Sequence, residues 1–181
     1  FEVCHHKWMD VSEDGYGVSM LNDCKYGHSA LDGVMTLTLI KSGIEPNPTA
    51  DQEEHTFTYA LYPHAEGWRQ AKTVQEAMKL NQPALSAEGG CAGDETSFVW
   101  IDKQNVIIET VKEAEDGDGV IIRLYESENA RTKAHISFEK PVASVESCDC
   151  VEKTKETVCV AGDGFDITIK PYEIQTYRVR F

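Results

Sequence analysis

The chain has 181 residues, of which 41% are hydrophobic, so it is long and apolar enough to bury a core and is not a disordered segment. It carries 31 acidic and 17 basic residues, which gives a formal net charge of −14. A polyanion is repelled by phosphate backbones and by anionic lipid surfaces, which argues against nucleic-acid and membrane partners. No apolar run approaches the roughly 18 residues of a membrane span.

Residues 1–4 contain no initiator Met and none of the basic and apolar segments of a signal peptide. We therefore expect an internal part of a longer protein. The chain does not need disulfides for stability at this size, so we expect free thiols and a reducing, cytoplasmic compartment. A zinc site is not expected, because the cysteines lack Cys-x-x-Cys spacing and a fourth ligand nearby. The six cysteines are Cys4, Cys24, Cys91, Cys148, Cys150 and Cys159.

Strand patterns dominate the chain. Residues 35–39 and 56–61 alternate apolar side chains with threonine, which is the period of a strand with one buried face. Residues 106–112 and 120–125 flank an acidic, glycine-containing segment at 113–119, where Asp-Gly pairs favour a hairpin. A calcium loop is the poorer interpretation, because the ligand spacing of an EF-hand is missing. Short strands separated by turn signals predict an all-β fold, an antiparallel β-sandwich.

The last strand carries an irregular apolar pattern. Tyr177, Val179 and Phe181 share one face, but Ile174 has the opposite parity. The change of parity predicts a β-bulge between Ile174 and Tyr177.

One helix is predicted at 68–80. Lys72 and Glu76 are four residues apart and can pair on it, and Pro83 ends it. The apolar residues that fall near one side at helical spacing are Trp68, Ala71, Val74 and Met78.

A domain boundary is predicted in residues 84–95, which are rich in Ala, Gly and Glu. The first domain then covers residues 1–93 and includes the helix at 68–80. The second domain covers residues 94–181.

The sequence contains no self-sufficient active site that we recognise. Phosphate-binding glycine motifs, the Gly-x-Ser-x-Gly elbow and His-Glu-x-x-His are all absent from it. His5, His6 and His64 could be ligands or acid–base groups, although a lone histidine near an aromatic residue is more often structural or solvated. Spacing alone does not pair carboxylates for glycoside hydrolysis.

Three stretches are distinctive in order and spacing. The first is residues 6–10 (HKWMD), followed by 15–18 and 21–27 (LNDCKYG). The second runs from 50 to 64 and leads into Trp68-Arg69, and the third covers 114–119 and 123–126. Together they resemble the carboxy-terminal region of glycoside hydrolase family 38 α-mannosidases, in the cytoplasmic and bacterial branch, over nearly the whole chain.

The resemblance implies a retaining exo-α-mannosidase as the parent protein. Such enzymes hold zinc with Asp and His and attack with an Asp, all in an amino-terminal catalytic domain outside this chain, so no cofactor is expected here. Residues 1–93 would be the end of a mutarotase-like supersandwich and 94–181 a smaller sandwich. Both would pack on the catalytic domain of the same polypeptide.

Two positions depart from the family pattern. His5 stands where a small residue is usual, and Lys41-Ser42-Gly43 stands where this branch tends to have Arg-Ser-Pro. Lysine cannot reproduce the planar fork of arginine, so any sugar contact made by that arginine would be altered.

The resemblance also places loops of this region at the sugar cleft. Asn22, Asp23, Lys25 and Tyr26 follow an apolar strand and offer donors, acceptors and a ring face for a mannoside. Trp8 offers a stacking surface. The alternatives are a tight turn with an ion pair at 22–26 and a core position for Trp8.

Three functions follow from these patterns. The first is a structural, cleft-completing domain that is inactive alone and exposes an apolar patch through which copies could form a homo-oligomer. The second is a free-standing carbohydrate-binding sandwich, supported by three tryptophans and seven tyrosines. The third is a small complete enzyme with mutarotase-like chemistry from a His and a Glu, which needs a pocket with perturbed groups.

Overall fold

A computed structural model describes residues 1–89, 93 and 96–181. The chain forms two compact units, unit 1 (Phe1–Gly89) and unit 2 (Gly90–Phe181), and each is described by itself. The predicted boundary between residues 93 and 94 lies in a segment of which 90–92, 94 and 95 fall outside the described residues, and it stays a prediction. Cys91 lies there too.

Unit 1 contains six strands in two three-stranded antiparallel sheets and one helix. The sheet orders are β1-β4-β5 and β2-β3-β6. The elements are β1 (Val3–Cys4), β2 (Trp8–Glu13), β3 (Tyr16–Asn22), β4 (Gly27–Leu31), β5 (Val34–Thr38), β6 (Tyr59–Ala65) and helix α1 (Thr73–Asn81).

The β2-β3-β6 sheet has two unlike faces because side chains alternate along β3. One face carries the buried Gly17, Ser19 and Leu21, and helix α1 packs against this side of β3. The opposite face is apolar and only partly covered. We call it the open face, and it consists of Val11, Tyr16, Val18, Met20 and Leu61.

Helix α1 begins at Thr73, so the prediction that it starts at Trp68 was wrong. Lys72 adopts a left-handed conformation with φ of 57°, and the residues before it form turns that interrupt the helical run. The expected Lys72–Glu76 pair is replaced by an ion pair of 2.7 Å between Glu76 and Lys79. The predicted end is confirmed, because the helix stops at Asn81, before Pro83.

Strand β6 lies further along the chain than the predicted 56–61, because it continues through Pro63. Proline cannot donate to a ladder and is confined to edge strands. Within the sheet, β6 pairs with β3 alone and is an edge, which is why proline is tolerated there.

Unit 2 is a two-layer antiparallel sandwich. Its sheets have the orders β13-β14-β10-β7 and β12-β11-β15-β9-β8. The strands are β7 (Val99–Ile101), β8 (Val106–Glu113), β9 (Val120–Glu126), β10 (Thr132–Phe138), β11 (Ser144–Cys148), β12 (Thr154–Val158), β13 (Val160–Ala161), β14 (Gly164–Ile169) and β15 (Ile174–Arg180).

The core of unit 2 is made from the inner faces of both sheets. Ile136 and Phe165 from one sheet, and Ile122 and Val179 from the other, are fully buried in one apolar cluster. Alternate residues of β10, β14 and β15 enter this cluster, with their apolar side chains on the inner faces of the sheets. The prediction of an all-β, antiparallel sandwich with one short helix is therefore confirmed.

The acidic segment 114–119 is the predicted hairpin connection between β8 and β9. Two arginines of β15 hold it: Arg178 Nη1 lies 2.7 Å from Asp116 Oδ2, and Arg180 Nη2 lies 2.9 Å from Asp118 Oδ2. These guanidinium hydrogen bonds lower the pKa of both carboxyls. Both carboxylates are thus occupied by arginine side chains. The segment is a hairpin connection rather than a calcium loop.

The predicted bulge between Ile174 and Tyr177 was wrong. Strand β15 pairs with β9 in unbroken register from Ile174 to Val179. Ile174 lies on the outer face of the sheet and exposes 62% of its surface, so its parity reflects exposure and not an inserted residue.

Candidate functional site

The turn between β3 and β4 carries four of the five predicted site residues, and it is built around Asn22. Asn22 is fully buried, and its Oδ1 accepts a hydrogen bond from the Lys25 amide at 2.8 Å. Asn81 at the end of α1 donates from Nδ2 to the Asn22 carbonyl at 3.0 Å. Asn22 therefore shapes the turn from inside, and its amide is not free to meet a ligand.

His5 holds the same turn from the other side. Its backbone N–H donates to the Tyr26 carbonyl at 2.8 Å, and its Nδ1 lies 3.1 Å from that oxygen. Its Nε2 lies 2.9 Å from Nδ2 of Asn22, which can only donate, so His5 is the neutral tautomer with its proton on Nδ1. Burial, followed by the nearby His28 ring at 4.3 Å, lowers the pKa of His5. Sequence reasoning missed this role, and the one signal was His5 at a position where a small residue is usual.

Asp23 ties the turn to the segment before β6. Its Oδ2 accepts a hydrogen bond from the Thr58 amide at 2.9 Å, and its own amide donates to the Thr58 carbonyl at 3.2 Å. The Cys24 thiol and then the Thr58 amide lower the pKa of Asp23. A thiol is a weak donor. Oδ1 remains buried without a hydrogen bond of ordinary geometry in the described part of the chain.

Lys25 and Tyr26 are the outward groups of the turn. The Lys25 ammonium lies 4.8 Å from the centroid of the Phe57 ring, a cation–π distance. Tyr26 exposes 48% of its surface, and its ring lies 5.0 Å from that of the exposed His6. The turn thus presents one cation and one aromatic ring pair on a fixed backbone.

Trp8 lies on the face of the β2-β3-β6 sheet that α1 covers. It is half-buried, and its ring partner is Trp68 at 5.1 Å, over which the Arg69 guanidinium lies at 4.3 Å. Trp8 therefore belongs to an aromatic and cationic cluster beside the helix, and the structure does not pair it with the rings of the turn.

A buried polar network under the helix was not predicted. His64 Nε2 lies 2.7 Å from Asp10 Oδ2 and 3.3 Å from Ser19 Oγ, and Ser19 Oγ lies 2.8 Å from Thr73 Oγ1 at the start of α1. A glycine is required at position 17, because a Cβ there would collide with the His64 ring.

This network contains serine, histidine and aspartate but is not a hydrolytic triad. In a triad the carboxylate binds one ring nitrogen and the serine binds the other. Here Asp10 and Ser19 both meet Nε2 of His64, while Nδ1 faces the backbone carbonyl of Glu66 at 3.1 Å. The side chains of Asp10 and His64 are 4% and 3% exposed, so no substrate reaches them. The network anchors the helix to the sheet.

The described residues form neither a metal-binding cluster nor a disulfide. They contain no group of three or more His, Cys, Asp or Glu side chains that could hold a metal ion. The cysteines that the structure describes, Cys4, Cys24, Cys148, Cys150 and Cys159, are free. None of the described helices is long and apolar enough to cross a membrane.

Comparison with protein families finds two matches. Residues 1–49 match the family described as Glycosyl hydrolases family 38 C-terminal domain. Residues 105–177 match the Glycosyl hydrolases family 38 C-terminal beta sandwich domain.

Individual relatives give the same result. The chain is 34% identical to Alpha-mannosidase G of Dictyostelium discoideum over 98% of its own length, and 33% identical to human Alpha-mannosidase 2C1 over 96%. It spans only 17% of the length of either relative. Among solved structures, an alpha-mannosidase from Enterococcus faecalis V583 shares the fold, with a TM-score of 0.75 at 20% identity, over 98% of this chain and 21% of that one.

Proposed function

Because the chain belongs to glycosyl hydrolase family 38, as carboxy-terminal domain sequence of that family, we propose that it is the non-catalytic carboxy-terminal part of a retaining exo-α-mannosidase. In this role it supports the catalytic domain of the same polypeptide and lines the cleft for terminal α-mannosides. The parent protein hydrolyses the glycoside, and this part alone is inactive.

The observation that carries the proposal is the open face of unit 1. A cleft of about 660 Å³ lies on it, lined by Val11, Tyr16, Val18, Met20 and Leu61 together with residues of the β4–β5 ribbon. A large exposed apolar patch marks a surface that is meant to be covered. The relatives are about six times longer than the matched segment, since this chain spans 17% of their length. We infer that the cover is the remainder of the same polypeptide, and that it completes the supersandwich.

We infer that the sugar is met by the outward groups of the 22–26 turn. The His5 and Asn22 hydrogen bonds hold the backbone of the turn, which carries the Lys25 ammonium and the Tyr26 ring with its hydroxyl on the outside. Donors, acceptors and a ring face on a rigid turn suit recognition of a mannoside. Asn22 supports this turn rather than the ligand, and Trp8 packs against Trp68 beside helix α1.

The zinc ion of the parent belongs to its catalytic domain in this proposal. A zinc ion held there would supply Lewis-acid chemistry and a template for the substrate. The described residues of this chain assemble no metal site, so we assign them no step through the metal. Their contribution is to position the mannoside and to exclude water from the cleft wall.

We further infer a cytoplasmic location. The five described cysteines are free thiols, and free thiols persist where the compartment is reducing.

The proposal is tested by hydrolysis of 4-nitrophenyl α-mannoside. We compare the parent polypeptide, this chain alone, and the parent truncated before this chain. Only the parent should be active, and co-expression of the two pieces should restore part of the activity, because the open face recruits its cover. Turnover by the pure chain, or full activity of the truncated parent, would refute the proposal.

The cleft-lining role is tested separately in the parent polypeptide. Lys25→Met and Tyr26→Ala should each raise KM by about tenfold, which corresponds to roughly 1.4 kcal/mol of lost binding. Tyr172→Ala, which removes an exposed aromatic ring in unit 2, is the matched control and should leave KM unchanged. An unaltered KM in both turn variants would show that the turn does not line the sugar cleft.

A further inference from the structure

The outer face of the β13-β14-β10-β7 sheet in unit 2 carries an ordered set of polar groups. Strand pairing sets His135 opposite Asp166 and sets Lys133 opposite Thr168 in the next row. Asp102, which follows β7, lies beside His135, because its Oδ1 accepts the His135 amide at 2.8 Å. These side chains line a cleft of about 470 Å³. One face of one sheet thus presents carboxylates, an imidazole, an ammonium and a hydroxyl together.

The imidazole in this cleft is fixed in orientation. His135 Nδ1 lies 2.7 Å from Asp166 Oδ1, and its Nε2 lies 3.6 Å from Asp163 Oδ1. The hydrogen bond with Asp166 and the charge of that carboxylate, followed by the contact with Asp163, outweigh desolvation and raise the pKa of His135. Asp166 nevertheless exposes 77% of its side chain, so this carboxylate is held in place and still open to solvent.

Next to His135, three paired residues cross the sheet from β7 to β14. Two of them have small side chains or none, and the third is a tryptophan. Trp100 of β7 pairs with Ser137, and Ser137 pairs with Gly164. Gly164 must be glycine, because a Cβ there would collide with the backbone carbonyl of Ile136. No side chain therefore rises from Gly164, and Ser137 is buried. Trp100 exposes 44% of its surface beside this low floor.

Trp100 is not needed for the core of unit 2. Its strand neighbours Val99 and Ile101 point the other way and pack against the apolar cluster, while the indole stays on the outer face. Trp100 leaves 44% of its surface exposed on the face that carries the polar cleft, so part of the indole ring is available to a ligand.

The chemistry of the face selects the ligand. Asp102, Asp163 and Asp166 repel phosphate groups and nucleic acid, and the described residues here do not converge on a metal. A neutral sugar ring fits both parts of the surface, because its C–H face packs on an indole and its hydroxyls bond to carboxylate, ammonium and hydroxyl groups. We propose that this outer face of unit 2 binds a neutral oligosaccharide, with one ring on Trp100 and the next over Asp166, Lys133 and Thr168.

The proposal is tested by titrating the isotopically labelled chain with α-linked mannotriose and following its NMR spectrum. The Trp100 indole signal and the His135 and Asp166 amides should shift together in a saturable way, with a millimolar Kd. Trp100→Ala and Asp166→Asn should each weaken binding by about tenfold, which equals roughly 1.4 kcal/mol. Tyr172→Ala, the matched exposed aromatic of unit 2, should bind as the unaltered chain does.

Hydrolysis is not the readout, so this test stands apart from the proposed mannosidase role. The core signals of Phe165 and Ile136 report whether each variant is folded. The absence of any saturable shift at tens of millimolar sugar would overturn the proposal. So would binding that survives Trp100→Ala, or shifts of the same amides produced by calcium chloride and not by the sugar.

Discussion

The two units bury their apolar side chains very differently. Among the described residues, unit 2 supplies 16 buried hydrophobic core residues and unit 1 supplies four. The large hydrophobic residues that stay exposed are distributed the other way, with 13 in unit 1 and seven in unit 2. Unit 2 pairs two sheets face to face, whereas the open face of unit 1 has no second layer that fills its cleft. Unit 2 thus contains a complete apolar core, whereas unit 1 leaves an apolar face exposed, which we propose is covered by another part of a polypeptide.

The largest effect is expected in the core of unit 2. Phe165 is fully buried and its ring lies 4.9 Å from that of Tyr177, so Phe165→Ala should lower the free energy of unfolding by about 3–5 kcal/mol. Urea unfolding of the isolated chain measures this loss. Tyr16→Ala on the open face is the control and should change stability by less than about 0.5 kcal/mol. Equal losses would mean that the open face is covered within the chain, and the contrast between the units would fail.

The second effect should depend on what surrounds unit 1. Leu61 exposes 63% of its surface, so Leu61→Lys should cost little in the isolated chain and should reduce its self-association in sedimentation experiments. In the parent polypeptide the same lysine would be buried without a partner, at a cost of roughly 3 kcal/mol. Tyr172→Lys in unit 2 is the control and should be tolerated in both contexts. If the parent polypeptide tolerates Leu61→Lys as well as the isolated chain does, the open face is exposed to solvent in the parent too.

The same contrast explains what the sequence could predict. The central strands of unit 2 were easier to recognise, because β10 and β14 bury their alternate apolar side chains, Ile136 and Phe165 among them. The short strands β7 and β13 carry too few residues to show a pattern. Unit 1 was harder. Its apolar residues face outward as well as inward, and α1 starts late because Lys72 takes a left-handed conformation that no apolar periodicity reports.

The candidate sugar site at the 22–26 turn stays a prediction. Sequence pattern and family resemblance gave Asn22 to the sugar, whereas the structure buries its side chain, which bonds to His5 and to the Lys25 amide. The Asp10–His64 network depends on residues 54 positions apart in the chain. Such long-range hydrogen bonds follow from the register of β2, β3 and β6, which local spacing does not contain.

A third, smaller effect concerns a buried carboxylate in unit 2. Glu126 is 1% exposed, and its oxygens accept hydrogen bonds from the amides of Glu128 and Tyr172 and from Asn105. In Glu126→Gln the side-chain amide nitrogen must face one of these donors, so unfolding free energy should fall by about 1–3 kcal/mol. Glu139→Gln at an exposed position is the control. An unchanged midpoint in urea would contradict the assignment.

The pH dependence of Glu126 has a definite sign. Burial alone would raise the pKa of Glu126, but the Tyr172 amide, Asn105 and the Glu128 amide outweigh it and the pKa is lowered. A lowered folded pKa stabilises the protein above the ordinary carboxyl value, and this stability is lost as the pH falls through the folded pKa. The acid limb of the unfolding curve should therefore flatten in Glu126→Gln. An acid limb as steep as that of the unaltered chain would assign the effect to other carboxylates.

The smallest effect is expected at the turn of unit 1. His5 Nε2 must be unprotonated to accept the hydrogen bond from Asn22. Burial, His28 and His6 lower the pKa of His5 in the folded turn. As the pH falls, His5 is therefore protonated in the unfolded turn before it is protonated in the folded one. Stability of the turn should fall by less than about 1 kcal/mol as the pH drops below the ordinary histidine value of about 6.5.

Hydrogen exchange of the Lys25 amide, which donates to Asn22, reports this opening once it is corrected for the intrinsic pH dependence of exchange. Protection should decline between about pH 6.5 and pH 5 in the unaltered chain and should be independent of pH in His5→Gln, which cannot take up the proton. The same decline in both proteins would place the titrating group elsewhere. A decline confined to the unaltered chain would tie the fixed geometry of Lys25 and Tyr26 to a single neutral histidine.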